Sequence, residues 1–314
     1  MTTLAPTEEA AAADVDDLDG ESAGTGPSRP GITVGRAVAI AAVWTVVTLA
    51  CAVLVLYLLE PMFQQRNQTD LLRAYRTTVL HAANEANSLA GVKLPTKPPH
   101  LGEPVAVVEI ARLHLRQVVV EGVSASQTQD GPGHVPGTAG PGESGNSAIV
   151  GRRAIYGGPF GVIHELREGD RILVTTTQGQ SVYEVRSVRS GEVAHMDALY
   201  RTTSDDQLTL VTSGSAVPWN RTSATVVVAR MVGRPFQPTP QNSRSAGQTG
   251  TTGEASAWWT VVLAGLVFAA AATVAVLLYR RSTLRVAYLI TTPVLIAAVV
   301  VLAEASSRLL PAWT

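Results

Sequence analysis

Residues 207–213, Gln-Leu-Thr-Leu-Val-Thr-Ser, are rich in Leu, Val and Thr and are closed by Gly214. Such a run fits a pleated, half-buried surface and reads as a short β-strand. Comparable runs lie on both sides of it: Pro104–Ile110, Leu115–Glu121, Ser147–Gly151, Arg171–Thr177, Ser181–Arg189 and Ala224–Val232. Turn residues separate them, and Gln178-Gly179 marks a hairpin. Seven or eight short strands within about 130 residues predict a closed barrel or a sandwich, large enough to bury its own core. The Gly/Pro-rich stretch from Gly131 to Asn146 is expected to be a surface loop of this domain.

Outside that block the composition points to a membrane. Of 314 residues, 46% are hydrophobic and 16% charged, against about 25% charged in ordinary soluble domains. Residues 37–59 and 257–279 each run 23 residues without a charge, and 286–303 adds 18 more, broken by Pro293. About 20 apolar residues span a bilayer, so three transmembrane helices are predicted. Tyr288 and Trp313 are expected to mark the interfaces of the third. The first stretch lies too far in and is too long for a cleavable signal, which makes it a signal anchor. Arg280, Arg281 and Arg285 crowd the short connection between the last two spans and place it in the cytoplasm. Counting back, the N-terminus is cytoplasmic, the strand-rich domain is extracellular, and Trp258 and Trp259 sit at the outer interface. Glu304, near the outer end of the third span, is expected to snorkel.

The remaining segments divide accordingly. Residues 1–36 form an acidic tail with too little apolar content to fold. Residues 60–100 hold a stalk and linker. There Leu72, Tyr75, Val79, Ala82, Ala86 and Leu89 step by threes and fours, predicting a helix from about Asp70 to Leu89, ended by Gly91. Fewer than three heptads is marginal for a coiled-coil seam, so packing against the chain's own domain is the stronger expectation. The strand domain covers 101–233, and 234–256, rich in Pro, Gly, Ser, Thr and Gln, reads as a flexible tether. Net charge is −1 with no Lys/Arg-rich run, which argues against nucleic acid as a partner. A single cysteine excludes an intrachain disulfide, a Cys-x-x-Cys pair and a Cys-rich metal site.

Several motifs in order carry a family resemblance. Gly131-Pro132-Gly133-His134-Val135-Pro136-Gly137-Thr138 and Pro141-Gly142-Glu143-Ser144-Gly145-Asn146 resemble a loop of the actinobacterial class E sortases. Ser147 to Arg153, followed by Tyr156-Gly157 and Pro159-Phe160, is similar to their next strand and its exit. Leu166-Arg167-Glu168-Gly169-Asp170 resembles the family's L-x-x-G-D turn, and Leu208 to Ser213 its T-L-x-T-C strand. The resemblance covers about residues 101–233. It implies a mainly β protein, a sortase-like eight-stranded β-barrel outside a Gram-positive-type membrane, with three transmembrane helices.

Active sortases resemble one another in a Cys-His-Arg set: Cys attacks a sorting-signal carbonyl, His moves the proton, and Arg steadies the oxyanion or substrate. Here the Cys position holds Ser213, the His position holds Arg152 with Arg153 after it, and only Arg221 matches the third role. The sole cysteine is Cys51, inside the first apolar stretch. A serine hydroxyl needs a base within hydrogen-bonding reach, and a guanidinium cannot serve as one. The resemblance therefore implies a pseudoenzyme that binds or scaffolds at the cell envelope; the alternative is an active transpeptidase or hydrolase with altered chemistry at Ser213. A structural subunit of an envelope complex without an open cleft is a third reading. Ligand-binding candidates are His134, Arg152, Arg153, Ser213 and Arg221, a set basic enough for a carboxylate. His134, in the loop motif, looks structural; it and His195 are the first histidines to test as replacement bases. No cofactor and no metal are expected. The expected partners are the lipid bilayer and an envelope protein, a peptide or a membrane complex.

Overall fold

The computed structural model describes residues 46–48, 50, 51, 54, 55, 60–86, 94–192, 199–217, 222–244, 248–281 and 284–314. Eight strands close into a barrel: β1 (Pro104–Ile110), β2 (Leu115–Glu121), β3 (Gly133–His134), β4 (Asn146–Val150), β5 (Arg171–Thr176), β6 (Gly179–Glu192), β7 (Gln207–Ser213) and β8 (Ser223–Val232). Their order around the barrel is β1-β2-β3-β4-β7-β8-β6-β5. The β2–β3 and β4–β7 pairs are parallel and the others antiparallel. Thr176 pairs with Gly179, so the Gln178-Gly179 signal does mark a two-residue hairpin turn.

Alternation along the strands sorts the side chains into two clusters. Ile149, Leu208 and Leu210 join Val108, Ile110, Phe160, Ile172 and Tyr183 in the barrel interior. Their neighbours Ala148, Val150 and Val211 point the other way, into a second cluster with Val123, Val135, Tyr200 and Trp313. Strands β4 and β7 are therefore buried on both faces, and their outer face is covered by chain from elsewhere.

Helix α1 runs from Glu60 to Ala86, starting ten residues before the heptad stripe predicts. Leu71, Leu72, Tyr75 and Val79 pack against Val107 and Val118, so the stripe serves the chain's own barrel. The early turns carry buried glutamines. Gln68 donates to the Val118 and Asp130 carbonyls and accepts from the Val118 amide at 2.7 Å. Leu89 and Gly91 lie outside the described residues. A single-turn α2 (Gln127–Asp130) follows β2.

Two expectations are corrected here. Residues 131–146 are mostly buried rather than a surface loop, because they supply β3 and are sealed by residues 234–244. That sealing segment, expected as a tether, binds the barrel: Thr239 and Gln241 donate to Glu143, Asn242 to Glu121, and Arg244 to the Pro136 and Tyr200 carbonyls. Polar residues suited to a linker are here hydrogen-bond donors to a buried carboxylate pair.

Two helices among the described residues, rather than three, are long and apolar enough to cross a membrane, over Ala255–Leu278 and Leu289–Ser307. They belong to α3 (Trp258–Arg281) and α4 (Leu284–Ser307). The stretch 37–59 lies largely outside the described residues, as does the acidic tail. Trp258 and Trp259 are exposed, whereas Trp313 is fully buried. Trp313 is thus not an interface marker. Helix α4 ends at Ser307, and residues 309–314 turn back onto the barrel.

Candidate functional site

The parallel register sets Val150 of β4 beside Val211 of β7, and the Gly151 amide donates to the Val211 carbonyl at 3.0 Å. The residues just beyond, Arg152-Arg153 and Thr212-Ser213, therefore meet at one rim. Arg153 Nη1 donates to the Ser213 carbonyl at 3.0 Å. Arg221 and His195 lie outside the described residues.

Ser213 is fully buried. Its Oγ donates to the Ser215 carbonyl at 2.8 Å and accepts from the Ser215 amide at 3.3 Å. No base reaches it among the described residues, and its proton is held by a carbonyl.

Arg152 turns away from Ser213. Its Nε donates to the Thr128 carbonyl at 3.1 Å, its Nη2 to the Ala125 carbonyl at 2.8 Å, and its guanidinium lies 4.8 Å from the Tyr156 ring centroid. Burial pulls the guanidinium down to about 10, against the opposing pull of Tyr156, Glu60 and Glu254, so it stays cationic at neutral pH. Tyr156 holds a left-handed φ of 52°, uncommon for a bulky side chain. That conformation sets its hydroxyl 2.7 Å from Ser307 Oγ at the end of α4 and 2.9 Å from Gln129 Nε2. Arg152 is thereby part of a buried joint between barrel, α1 and α4.

Glu60, at the start of α1, completes this joint. It is 2% exposed, and neither carboxyl oxygen makes a well-formed hydrogen bond to a described residue. Burial pushes it up to about 8, with Glu304 adding to the rise and the Tyr156 hydroxyl and Arg152 opposing it. An acid whose folded-state value is raised keeps its proton in the fold. The stability this contributes is complete below about pH 4.5 and is lost as pH climbs to about 8. Thermal unfolding of the detergent-solubilised chain should therefore show this contribution fading from pH 5 to 8. Glu60→Gln, a neutral isostere, should flatten that slope and melt higher at pH 8, by on the order of 1–2 kcal/mol or about 2–8 °C.

His134 occupies β3, remote from the Ser213 rim in its partners. Its Nδ1 lies 2.7 Å from Glu121 Oε2, and its Nε2 lies 2.9 Å from the Ala139 carbonyl and 3.0 Å from Thr138 Oγ1. Both ring nitrogens are engaged, which fits a structural residue rather than a replacement base. A hollow of about 440 Å³ opens beside it, lined by residues including Tyr75, His100, Glu121 and Glu143, with neither Arg152 nor Ser213 in its wall. Of the candidates named from sequence, the structure brings together Arg153 and Ser213 and commits Arg152 and His134 to internal partners. Among the described residues no cluster of three His, Cys, Asp or Glu side chains could hold a metal ion.

Sequence reasoning missed Glu60, Tyr156, Gln129 and Ser307, and with them the segment that covers the rim. The Trp313 carbonyl accepts from the amides of Arg153 at 3.1 Å and Ser213 at 3.3 Å, and from Thr212 Oγ1 at 3.5 Å. An aromatic in an otherwise short apolar tail was the only signal, and its position after a span suggested lipid instead.

No curated protein matches the chain. Among solved structures, a Clostridium perfringens sortase D5 transpeptidase is 22% identical, covering 54% of this chain and 99% of its own, with a TM-score of 0.45. Sortase E from Streptomyces avermitilis is 26% identical, covering 45% and 93%, with a TM-score of 0.39. Sortase E1 from Streptomyces coelicolor is 24% identical, covering 46% and 94%, with a TM-score of 0.38. Residues 108–232 match the family described as Sortase domain, a span that runs from β1 to the end of β8. Residues 108–232 of the closed barrel are a sortase domain.

Proposed function

We propose that this protein is a membrane-anchored sortase-family pseudoenzyme whose barrel binds a peptide or envelope protein without cutting it. The observation that carries this reading is the state of Ser213: a buried hydroxyl whose proton is donated to the Ser215 carbonyl, with no base in reach among the described residues. Acyl transfer needs an activated nucleophile, and Arg152 is a buried cation that donates to two main-chain carbonyls away from Ser213. The rim keeps main-chain donors, at Arg153 and Ser213, that suit an extended peptide rather than a bond-breaking step. The apolar helices α3 and α4, with the arginine-rich connection at 280–285 inside, support a cell-membrane location with the barrel on the outer side.

The test is a transpeptidation and hydrolysis assay on sorting-signal peptides with the full chain in detergent. The native chain and Ser213→Ala are both expected to show no turnover. Turnover by the native chain that disappears in Ser213→Ala would establish the other reading, a serine-based enzyme with altered chemistry. The double variant Arg152→His with Ser213→Cys restores the residue types but not the buried hydrogen bonds of Arg152, and it is expected to remain inactive in the intact chain.

A further inference from the structure

We infer that the outer face of β4 and β7 is a peptide groove whose resident ligand is the chain's own segment Leu309–Thr314, anchored by Trp313. The inference rests on the non-cutting reading above and names the peptide. Recognition is main-chain first. The Trp313 carbonyl accepts from the amides of Arg153 and Ser213, the residues just past β4 and at the end of β7, and the Trp313 amide donates to the Gly250 carbonyl at 3.1 Å. Three main-chain hydrogen bonds converge on one residue of a segment that belongs to no strand.

The side chain supplies the affinity. Trp313 is fully buried among Val123, Val135, Ala148, Val150, Val211 and Ala224, the outward-facing residues of the two strands and their neighbours. A large aromatic in a dry apolar pocket is the usual anchor of a peptide interface. The segment is also shaped for docking. Both the amide and the hydroxyl of Thr314 donate to the Pro311 carbonyl, which folds the tail into a tight turn. The returning chain before α3 lies against the same segment: a β-carbon on Gly253 would fall 2.1 Å from the Leu309 carbonyl oxygen, so only glycine permits that approach. The Glu254 amide meanwhile donates to the Arg308 carbonyl at 2.9 Å. The two ends of the α3–α4 hairpin are thus fastened together on the rim where the family's reactive residues would stand. While residues 309–314 are seated, another peptide has no access to the Arg153 and Ser213 amides.

A fluorescein-labelled hexapeptide, Leu-Leu-Pro-Ala-Trp-Thr, tests this by fluorescence anisotropy on the full chain and on a chain ending at Arg308, both in detergent. The full chain should bind it at least tenfold more weakly than the shortened chain. Alanine in place of the peptide's tryptophan should weaken binding to the shortened chain at least tenfold. Hydrogen exchange gives a second readout that does not need the truncation. The Arg153 and Ser213 amides should be protected in the native chain, exchange at least tenfold faster in Trp313→Ala, and regain protection when the hexapeptide is added. Unchanged exchange in Trp313→Ala, or a shortened chain that binds unrelated peptides but not this one, overturns the inference and leaves the non-cutting reading standing. Binding followed by cleavage supports the resident ligand and overturns the non-cutting reading.

Discussion

Replacing Arg152 by alanine is expected to destabilise the protein by about 3–5 kcal/mol, as large a loss as breaking a buried ion pair. The side chain is fully buried and does three things at once. It donates to the carbonyls of Thr128 and Ala125, the latter also reached by the Thr128 hydroxyl only at 3.4 Å, and a buried acceptor left unsatisfied costs about 1–3 kcal/mol. It fills the space over the Tyr156 ring, so its removal leaves a cavity whose lining loses contacts. It is also the cation nearest in effect to the buried Glu60 carboxyl, whose raised value would rise further without it. At roughly 2–4 °C per kcal/mol for a domain of this size, the melting temperature should fall by about 6–20 °C. Arg152→Lys should recover only part of the loss, because a single ammonium cannot match a fork aimed at two carbonyls. Arg152→His should be nearly as destabilising as alanine, because the shorter imidazole cannot span the two carbonyls. A melting temperature within about 2 °C of the native chain for Arg152→Ala would show that the joint is not built on this residue.

That joint explains where the sequence was readable and where it was not. Strands β1, β2 and β7 have the bounds their β-branched runs predict, because hydrophobic patterning and burial coincide there. Strand β3 is two residues long, too short for any period, and exists because β2 pairs with it in parallel. The heptad stripe located the barrel-facing side of α1 but not its first ten residues, where Gln64 and Gln68 are buried by hydrogen bonds rather than by apolar character. That residues 152 and 213 are Arg and Ser, and that Cys51 is the sole cysteine, was plain from the sequence. The directions their side chains take were not, since these depend on Thr128, Tyr156, Ser215 and Ser307, spread over 180 residues of chain. Trp313 is the clearest case: local context placed it at a lipid interface, and only a long-range contact puts it against the outer face of the barrel.

Glu121→Ala is expected to cost a further 3–5 kcal/mol when made alone, for a reason independent of the rim. Glu121 closes β2, is fully buried, and spends both carboxyl oxygens on other elements. Oε2 pairs with His134 of β3 at 2.7 Å, and Oε1 accepts from Asn242 of the sealing segment at 2.9 Å. Alanine would leave the imidazole facing an empty site and release the Asn242 amide, loosening residues 131–146 from above and below. Glu121→Gln should cost less, about 1–2 kcal/mol, since the amide oxygen still accepts one bond while the charge-assisted one is lost. Because the His134 imidazole has no partner among the described residues beyond Glu121, Ala139 and Thr138, Glu121→Ala and His134→Ala should not add. Their double-mutant cycle by thermal or denaturant unfolding should show a coupling of roughly 1–3 kcal/mol. Additive losses would mean that His134 is held by the chain around it and that the carboxylate serves the Asn242 contact alone.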